Sequence, residues 1–311
     1  MYETLPADIE NQKILEQNIY SIREKIGVNQ CYRVWSPLFS QTFVCKVVKG
    51  EFSFHQEIRA FMQLDHPNIL RIVNYFNEGN KFFIISEDCV HGNVKQYLDQ
   101  TNISTTERIE ICTDLIRGLN YLHSKGITHN HLKLENILID KSGKVKISDY
   151  GLPYFVDESD ERFGGPKYFL APEVLQKVNV NPFKADVWAL GIILYYVAYK
   201  ELPFGDEELW NDFTQYGLAR IPHFISEEFM RTLKLALQVN PEKRPTPQEL
   251  FKVMNNQTHI PDPTAMARKR RISRMNRSSA SFKSNVLNPT FGTSQLSLGK
   301  STFVSRSNPI L

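Results

Sequence analysis

The chain has 311 residues, of which 41% are apolar and 23% charged, an ordinary balance for a globular protein with one large or two modest domains. Its longest apolar run, VWALGIILYYVAY at 187–199, is too short to cross a bilayer and reads as a buried helix; the opening MYETLPADIENQ is polar and acidic, not the basic-then-apolar pattern of a signal segment. The net charge of +3 hides an asymmetry, because residues 258–311 carry nine Lys/Arg against one acid (+8) and the first 257 carry 28 against 33 (−5), so the expected form is a mildly acidic body with a basic tail. The four cysteines, Cys31, Cys45, Cys89 and Cys112, show no CxxC spacing, which points to reduced thiols and a cytosolic or nuclear setting.

In chain order, residues 1–19 read as an N-terminal extension. From Tyr20 to about residue 90 the sequence alternates as strands do, in YSIREKIG, CYRVWSP, TFVCKVV, NYFNEG and KFFIISE. One helical stretch interrupts them, FSFHQEIRAFMQL, with Phe54, Ile58, Phe61 and Met62 at helical spacing. From Val94 the pattern turns helical: TTERIEICTDLIRGLNYLHSKG sets Ile111, Leu115, Leu119 and Leu122 on one face, with Gly126 as a stop. Further helices are expected over 182–199, 226–238 and 246–255. This is an α+β arrangement of two lobes, a small sheet-rich one (20–88) and a larger helical one (89–257). The remainder, 258–311, is rich in Ser, Asn and Arg; it lacks the apolar density to offset its ordering entropy and is expected to be disordered.

Several side chains in this frame carry chemistry. Lys46 lies on a strand in FVCKVV and Glu57 on the helix that follows; such a carboxylate can hold an ammonium toward a phosphate. Asn136 in HNHLKLEN and Asp149 in SDYG are oxygen donors 13 residues apart, one on a loop and one just after the apolar strand VKIS. Two such oxygens facing one cleft suit Mg²⁺, which binds through few protein ligands plus substrate phosphates. Lys133, three residues before Asn136, can reach the same cleft. Further on come LAPE (170–173), ADVWALG (185–191) and NPEKRPTPQEL (240–250).

In the order and spacing of these motifs the chain resembles the protein kinase family over roughly residues 18–257. HPNIL, ADVWALGIILY, ELPF and NPEKRPT are most similar to Ser/Thr kinases of the calcium/calmodulin-dependent and AMP-activated group. The resemblance implies a bilobal kinase-like fold that takes ATP and Mg²⁺. It assigns Lys46 to the α/β-phosphates, Glu57 to Lys46, Asn136 and Asp149 to Mg²⁺, and Lys133 to the transferred phosphate. Ile26, Gly27, Val34, Val44 and Leu138 would surround the nucleotide, with Glu87, Asp88 and Cys89 at the adenine-binding hinge. Ser86 falls at the gatekeeper position, where so small a residue implies a deep pocket. Glu173 and Arg244 look like the family's buried ion pair. Asp186 and Trp188 resemble its central-helix anchors, and His129 and Tyr150 its structural loop residues.

The departures from the family pattern are concentrated where a hydroxyl substrate would react. The loop reads His129-Asn130-His131, so His131 stands in place of the catalytic aspartate. General-base assistance is worth about 10²–10⁴-fold in rate. An imidazole offers one acceptor nitrogen and no negative charge. Asn130 replaces an arginine that, in many relatives, pairs with a phosphorylated activation segment, and Pro166 replaces a hydroxyl residue that bonds the aspartate. The phosphate-covering loop IGVNQCYRV keeps Gly27 alone of three glycines, and Tyr32 is expected to set a large ring near the phosphates. Two functions follow as expectations: a pseudokinase that binds ATP/Mg²⁺ and works through protein partners, which is favoured, or an active Ser/Thr kinase using His131. The basic tail leaves three readings open: a solvating extension, a basophilic-kinase phosphosite at Ser273, or a nuclear signal in RKRR (268–271) that would add the nucleus to a cytoplasmic location. Neither a membrane nor a nucleic acid is expected as partner.

Overall fold

In a computed structural model of the chain, the structure describes residues 6–26, 30–49, 58, 61–151, 167–204, 212–213 and 225–255. All five expected strands form: β1 (Ser21–Lys25), β2 (Cys31–Ser36), β3 (Gln41–Lys49), β4 (Ile72–Glu78) and β5 (Lys81–Glu87). They make one antiparallel sheet in the order β1-β2-β3-β5-β4. Ile58, Phe61 and Met62 are helical, as their spacing predicts, and Phe54 lies outside the described residues.

The larger lobe is built from α2 (Val94–Gln100), α3 (Thr105–Ser124), the short strands β6 (Ile137–Ile139) and β7 (Val145–Ile147), α4 (Pro172–Leu175), α5 (Pro182–Tyr199), α6 (Glu227–Ala236) and α7 (Pro247–Met254). Local chemistry explains the ends of these elements. Ser104 and Glu107 close a capping box on α3, and Thr246 and Glu249 close another on α7, each satisfying two backbone donors reciprocally. Gly126, at φ +73°, takes the left-handed backbone just past α3. Helix α5 is buried from Ala185 to Val197, as a central element must be. No helix among the described residues is long and apolar enough to cross a membrane, and all four cysteines are free thiols.

Within residues 1–19, the N-terminal extension, a helix α1 (Pro6–Gln17) packs on the sheet. Its Ile14 and Leu15 join Tyr20, Tyr32, Val34, Phe43, Cys45, Val47, Phe83 and Ile85 in a small-lobe core. Polar contacts fix its position: Asp8 pairs with Lys25 at 3.0 Å, Glu10 with Lys81 at 2.6 Å, and the buried Asn11 accepts from Lys81 at 3.1 Å. The sequence hides this helix because its apolar stripe is narrow, and its remaining contacts are made by polar side chains that look solvated.

Candidate active site

Antiparallel partners share a face of the sheet, so the register decides what faces Lys46. Cys31 pairs with Lys46, Arg33 with Val44, and Val44 with Ser86. One face therefore carries Cys31, Arg33, Val44, Lys46 and Ser86. Val34 pairs with Phe43 and Tyr32 with Cys45; these point to the opposite face, beneath α1. Two expectations are corrected here. Val34 is fully buried in the small-lobe core and does not lie beside Val44. Tyr32 does not crowd a phosphate site: its hydroxyl donates to Asp8 Oδ1 at 2.5 Å and accepts from Asn11 Nδ2 at 3.0 Å. A two-residue period cannot by itself say which set of alternating side chains faces a cleft; the cross-strand register does.

Lys46 Nζ is ion-paired with Asp149, tying the small lobe to the second residue past the end of β7. Burial opposes charge on Asp149, but the adjacent Lys46 ammonium, helped by His129 and His131, outweighs it and holds the carboxyl below its ordinary range. Asp149 sits at φ +55°, an uncommon conformation for a non-glycine residue that aspartate tolerates. Glu57 and Gly27 lie outside the described residues, as do Pro166 and the segment 152–166. Ile26, half-buried, donates its N–H to Cys31 O at 2.8 Å across the base of the covering loop.

The loop from His129 to Asn136 is clamped from beneath by α5. Asp186 accepts from the backbone N–H of His129 at 2.7 Å and of Asn130 at 2.9 Å, and lies 3.0 Å from His123 Nε2. Asn130 takes φ +64°, a left-handed conformation that asparagine adopts more readily than most residues. His131 N donates to His129 Nδ1 at 3.2 Å, and Asn136 Nδ2 donates to the His131 carbonyl at 2.8 Å. Asn136 is itself bonded to the strand leading to Asp149, its carbonyl accepting from Ser148 N at 2.9 Å and Ser148 Oγ at 3.1 Å. The amide braces the loop through its nitrogen, leaving Oδ1 as the oxygen donor. Lys133 is half-buried on the same loop. Among the described residues no cluster of three or more His, Cys, Asp or Glu is poised around a metal. A donor set of one amide oxygen and one ionised carboxylate fits Mg²⁺ completed by phosphate oxygens and water.

His131 is held neutral. Burial, reinforced by Lys133 and His129, pushes its imidazole down to about 4. His129, completely buried, is also pushed down, chiefly by burial. Tyr150 fills an apolar slot edge-on to Phe61, ring centroids 5.2 Å apart, and its hydroxyl donates to Leu70 O at 3.2 Å. That polar anchor is one a phenylalanine could not make.

At the far end of the sheet row, Ser86 is buried and its Oγ lies 3.4 Å from Val44 O. Glu87 uses its carboxylate on Arg71 N at 2.9 Å and Lys146 Nζ at 3.0 Å, and Cys89 is buried, its thiol pushed up to about 12 by burial. Leu138 is half-buried on β6. The ion pair of Arg33 Nε with Asp88 Oδ2 at 2.8 Å has no signature in the sequence, since the two residues are 55 positions apart and Asp88 lies just past the end of β5.

Glu173 and Arg244 form a buried bidentate pair at 2.6 and 2.7 Å. The guanidinium also donates to Gln238 O and Val239 O and lies 5.0 Å from the centre of the Trp188 ring. The two buried charges, Glu173 and Arg244, therefore compensate each other, as burial requires.

Comparison with known proteins agrees with this architecture. The protein kinase domain family model matches residues 24–254. The chain is 31% identical to the serine/threonine-protein kinase kin-29 of Caenorhabditis briggsae over 202 residues, which is 63% of this chain and 25% of that protein. It is 32% identical to sperm motility kinase 3A of Mus musculus over 200 residues (63% and 40%). It is 31% identical to CBL-interacting serine/threonine-protein kinase 15 of Arabidopsis thaliana over 205 residues (63% and 48%). The matched region spans less than half the length of each of these relatives. With a two-lobed fold, the motifs in order and a family model covering most of its length, the chain belongs to the protein kinase family and carries a domain of the Ser/Thr type.

Proposed function

We propose that the domain binds ATP with Mg²⁺ but is catalytically impaired, and that it signals as a scaffold or allosteric partner of other proteins. The observation that carries this reading is His131, a neutral imidazole where the family has a carboxylate. Basicity is not the defect, since a group titrating near 4 is as basic as an ordinary aspartate. Charge is the difference. A carboxylate that accepts a proton becomes neutral, whereas His131 would become a cation beside Lys133. It also brings no negative charge to orient a hydroxyl toward the phosphate.

Binding groups are retained in this reading: Lys46 for the α/β-phosphates, Asn136 and Asp149 for the metal, and Lys133 for the terminal phosphate. Val44, Leu138, Ile26 and the hinge residues Glu87 and Cys89 would take the base. Bound Mg²⁺ would neutralise phosphate charge. The retained phosphate and metal groups favour a second reading, an active Ser/Thr kinase, because phosphoryl transfer depends chiefly on positioning and electrostatics. For location we infer the cytoplasm, and for the tail three readings stand: a solvating extension, a basophilic-kinase site at Ser273, or a nuclear signal in RKRR (268–271) that would add the nucleus.

The test is ATP/Mg²⁺ turnover on generic protein substrates by the full chain, His131→Asp and Lys46→Met. The impaired reading expects no transfer by the wild-type chain. Transfer that disappears in Lys46→Met would establish the active kinase instead.

A further inference from the structure

Arg33, Val44 and Ser86 stand in one row across the face that carries Lys46, with β3 between β2 and β5. Neighbouring strands are about 4.8 Å apart, so the outer two strands of this row are separated by roughly 10 Å. Arg33 Nε nevertheless donates to Asp88 Oδ2 at 2.8 Å, and Asp88 directly follows the end of β5. In register Asp88 lies two residues beyond Ser86, toward Thr42, so the contact spans β3 beside Val44. The arginine's other guanidinium end is ion-paired with Glu24, its partner residue on β1. One guanidinium thus joins Glu24 on β1 to Asp88 beyond β5, and the three side chains together span this face of the sheet.

Asp88 makes this a firm bridge. Its side chain is only 5% exposed, and its second oxygen, Oδ1, is buried and accepts no hydrogen bond. A buried carboxylate needs a compensating charge, and Arg33 supplies it. Arg33 is 27% exposed, so the arginine is the end that can swing away.

We propose that the Arg33–Asp88 bridge is a strap across the adenine end of the cleft, and that an adenine nucleotide must open it to reach Val44 and the hinge. The inference rests on the nucleotide-binding reading above and adds a selectivity element to it. Apparent affinity is the intrinsic affinity scaled by the open fraction, so a strap closed about nine-tenths of the time weakens binding about tenfold. The strap acts on the base and sugar and leaves the phosphate end at Lys46 untouched.

The experiment is calorimetric titration of the full chain with adenosine and, separately, with ATP/Mg²⁺. Arg33→Ala is compared with the wild type. Because Arg33→Ala alone leaves a buried carboxylate uncompensated, the double variant Arg33→Ala/Asp88→Asn is measured alongside it. The strap predicts that both ligands bind the double variant about tenfold tighter, by the same factor. Binding by the wild type with no gain in the variants overturns the strap and leaves the nucleotide reading standing. A gain for ATP/Mg²⁺ without one for adenosine also overturns it, because the arginine would then be acting on phosphates. If neither ligand binds any of the three proteins, the strap and the nucleotide reading fall together.

Discussion

At position 131 an imidazole occupies a loop whose backbone is otherwise braced at every step, by Asp186 below, by His129 behind and by Asn136 beside it. The substitution therefore changes the charge of the site while its frame is kept. Ser86 is a second single side chain with a large effect. It is a buried hydroxyl on the cleft face, in line with Val44, and the deep pocket expected behind so small a side chain can be tested directly. Bulky hinge-directed kinase inhibitors are expected to lose about tenfold or more in affinity to Ser86→Met, about 1.4 kcal/mol or more; equal Kd values for the two proteins would contradict the deep pocket. Lys46, Asn136, Asp149, Glu173 and Arg244 were legible because each sits in a motif of residues close in sequence. Arg33 and Asp88 are 55 positions apart and belong to no motif, so their pairing could be seen only in the folded sheet.

Among the elements, α1 and α3 show how packing overrides local preference. Helix α1 has little helix-specific signal, yet it covers an outer sheet face that is unusually apolar, with Phe43, Cys45, Val47, Phe83 and Ile85 in one core. Leu15 is completely buried there. Leu15→Ala is expected to destabilise the protein by about 2–5 kcal/mol in denaturant unfolding, whereas a dispensable extension would show no change. In α3, Gly118 is a poor helix former whose replacement by alanine would gain about 1 kcal/mol in an exposed helix. Here an added Cβ would lie 2.9 Å from Asn68 O and 2.8 Å from Ile147 Cδ1. Asn68 O cannot yield, since it accepts from Ile147 N at 3.0 Å. Gly118→Ala is therefore expected to cost about 1–3 kcal/mol, and a stabilised variant in thermal unfolding would refute the close approach. The strands and most helices were legible from their periods; α1 and the need for Gly118 were not, because both depend on what lies opposite.

At the scale of the molecule, three histidines among the described residues, His66, His129 and His131, are held below their ordinary titration range, each chiefly by burial. The unfolded chain binds protons at these sites from about pH 6.5 downward, while the native protein resists them, His131 until about 4. The unfolded state thus holds more protons across that window, so stability is full above it and falls as pH drops through it. The depressed carboxyl of Asp149 adds a loss of the same sign at lower pH. Denaturant midpoints are expected to fall from pH 7 to pH 5, and His131→Asn should flatten the dependence by about one proton; identical slopes would show that His131 is not held neutral. Residue types and short spacings were enough to give the two-lobed α+β plan, the kinase motifs and the anomaly at His131. That Tyr32 and Val34 face α1, that Lys46 meets Asp149 and that Arg33 reaches the hinge came from the folded chain alone. The reason is that a strand offers two equivalent faces, and which one meets the cleft is set by cross-strand register and by the helix that covers the other.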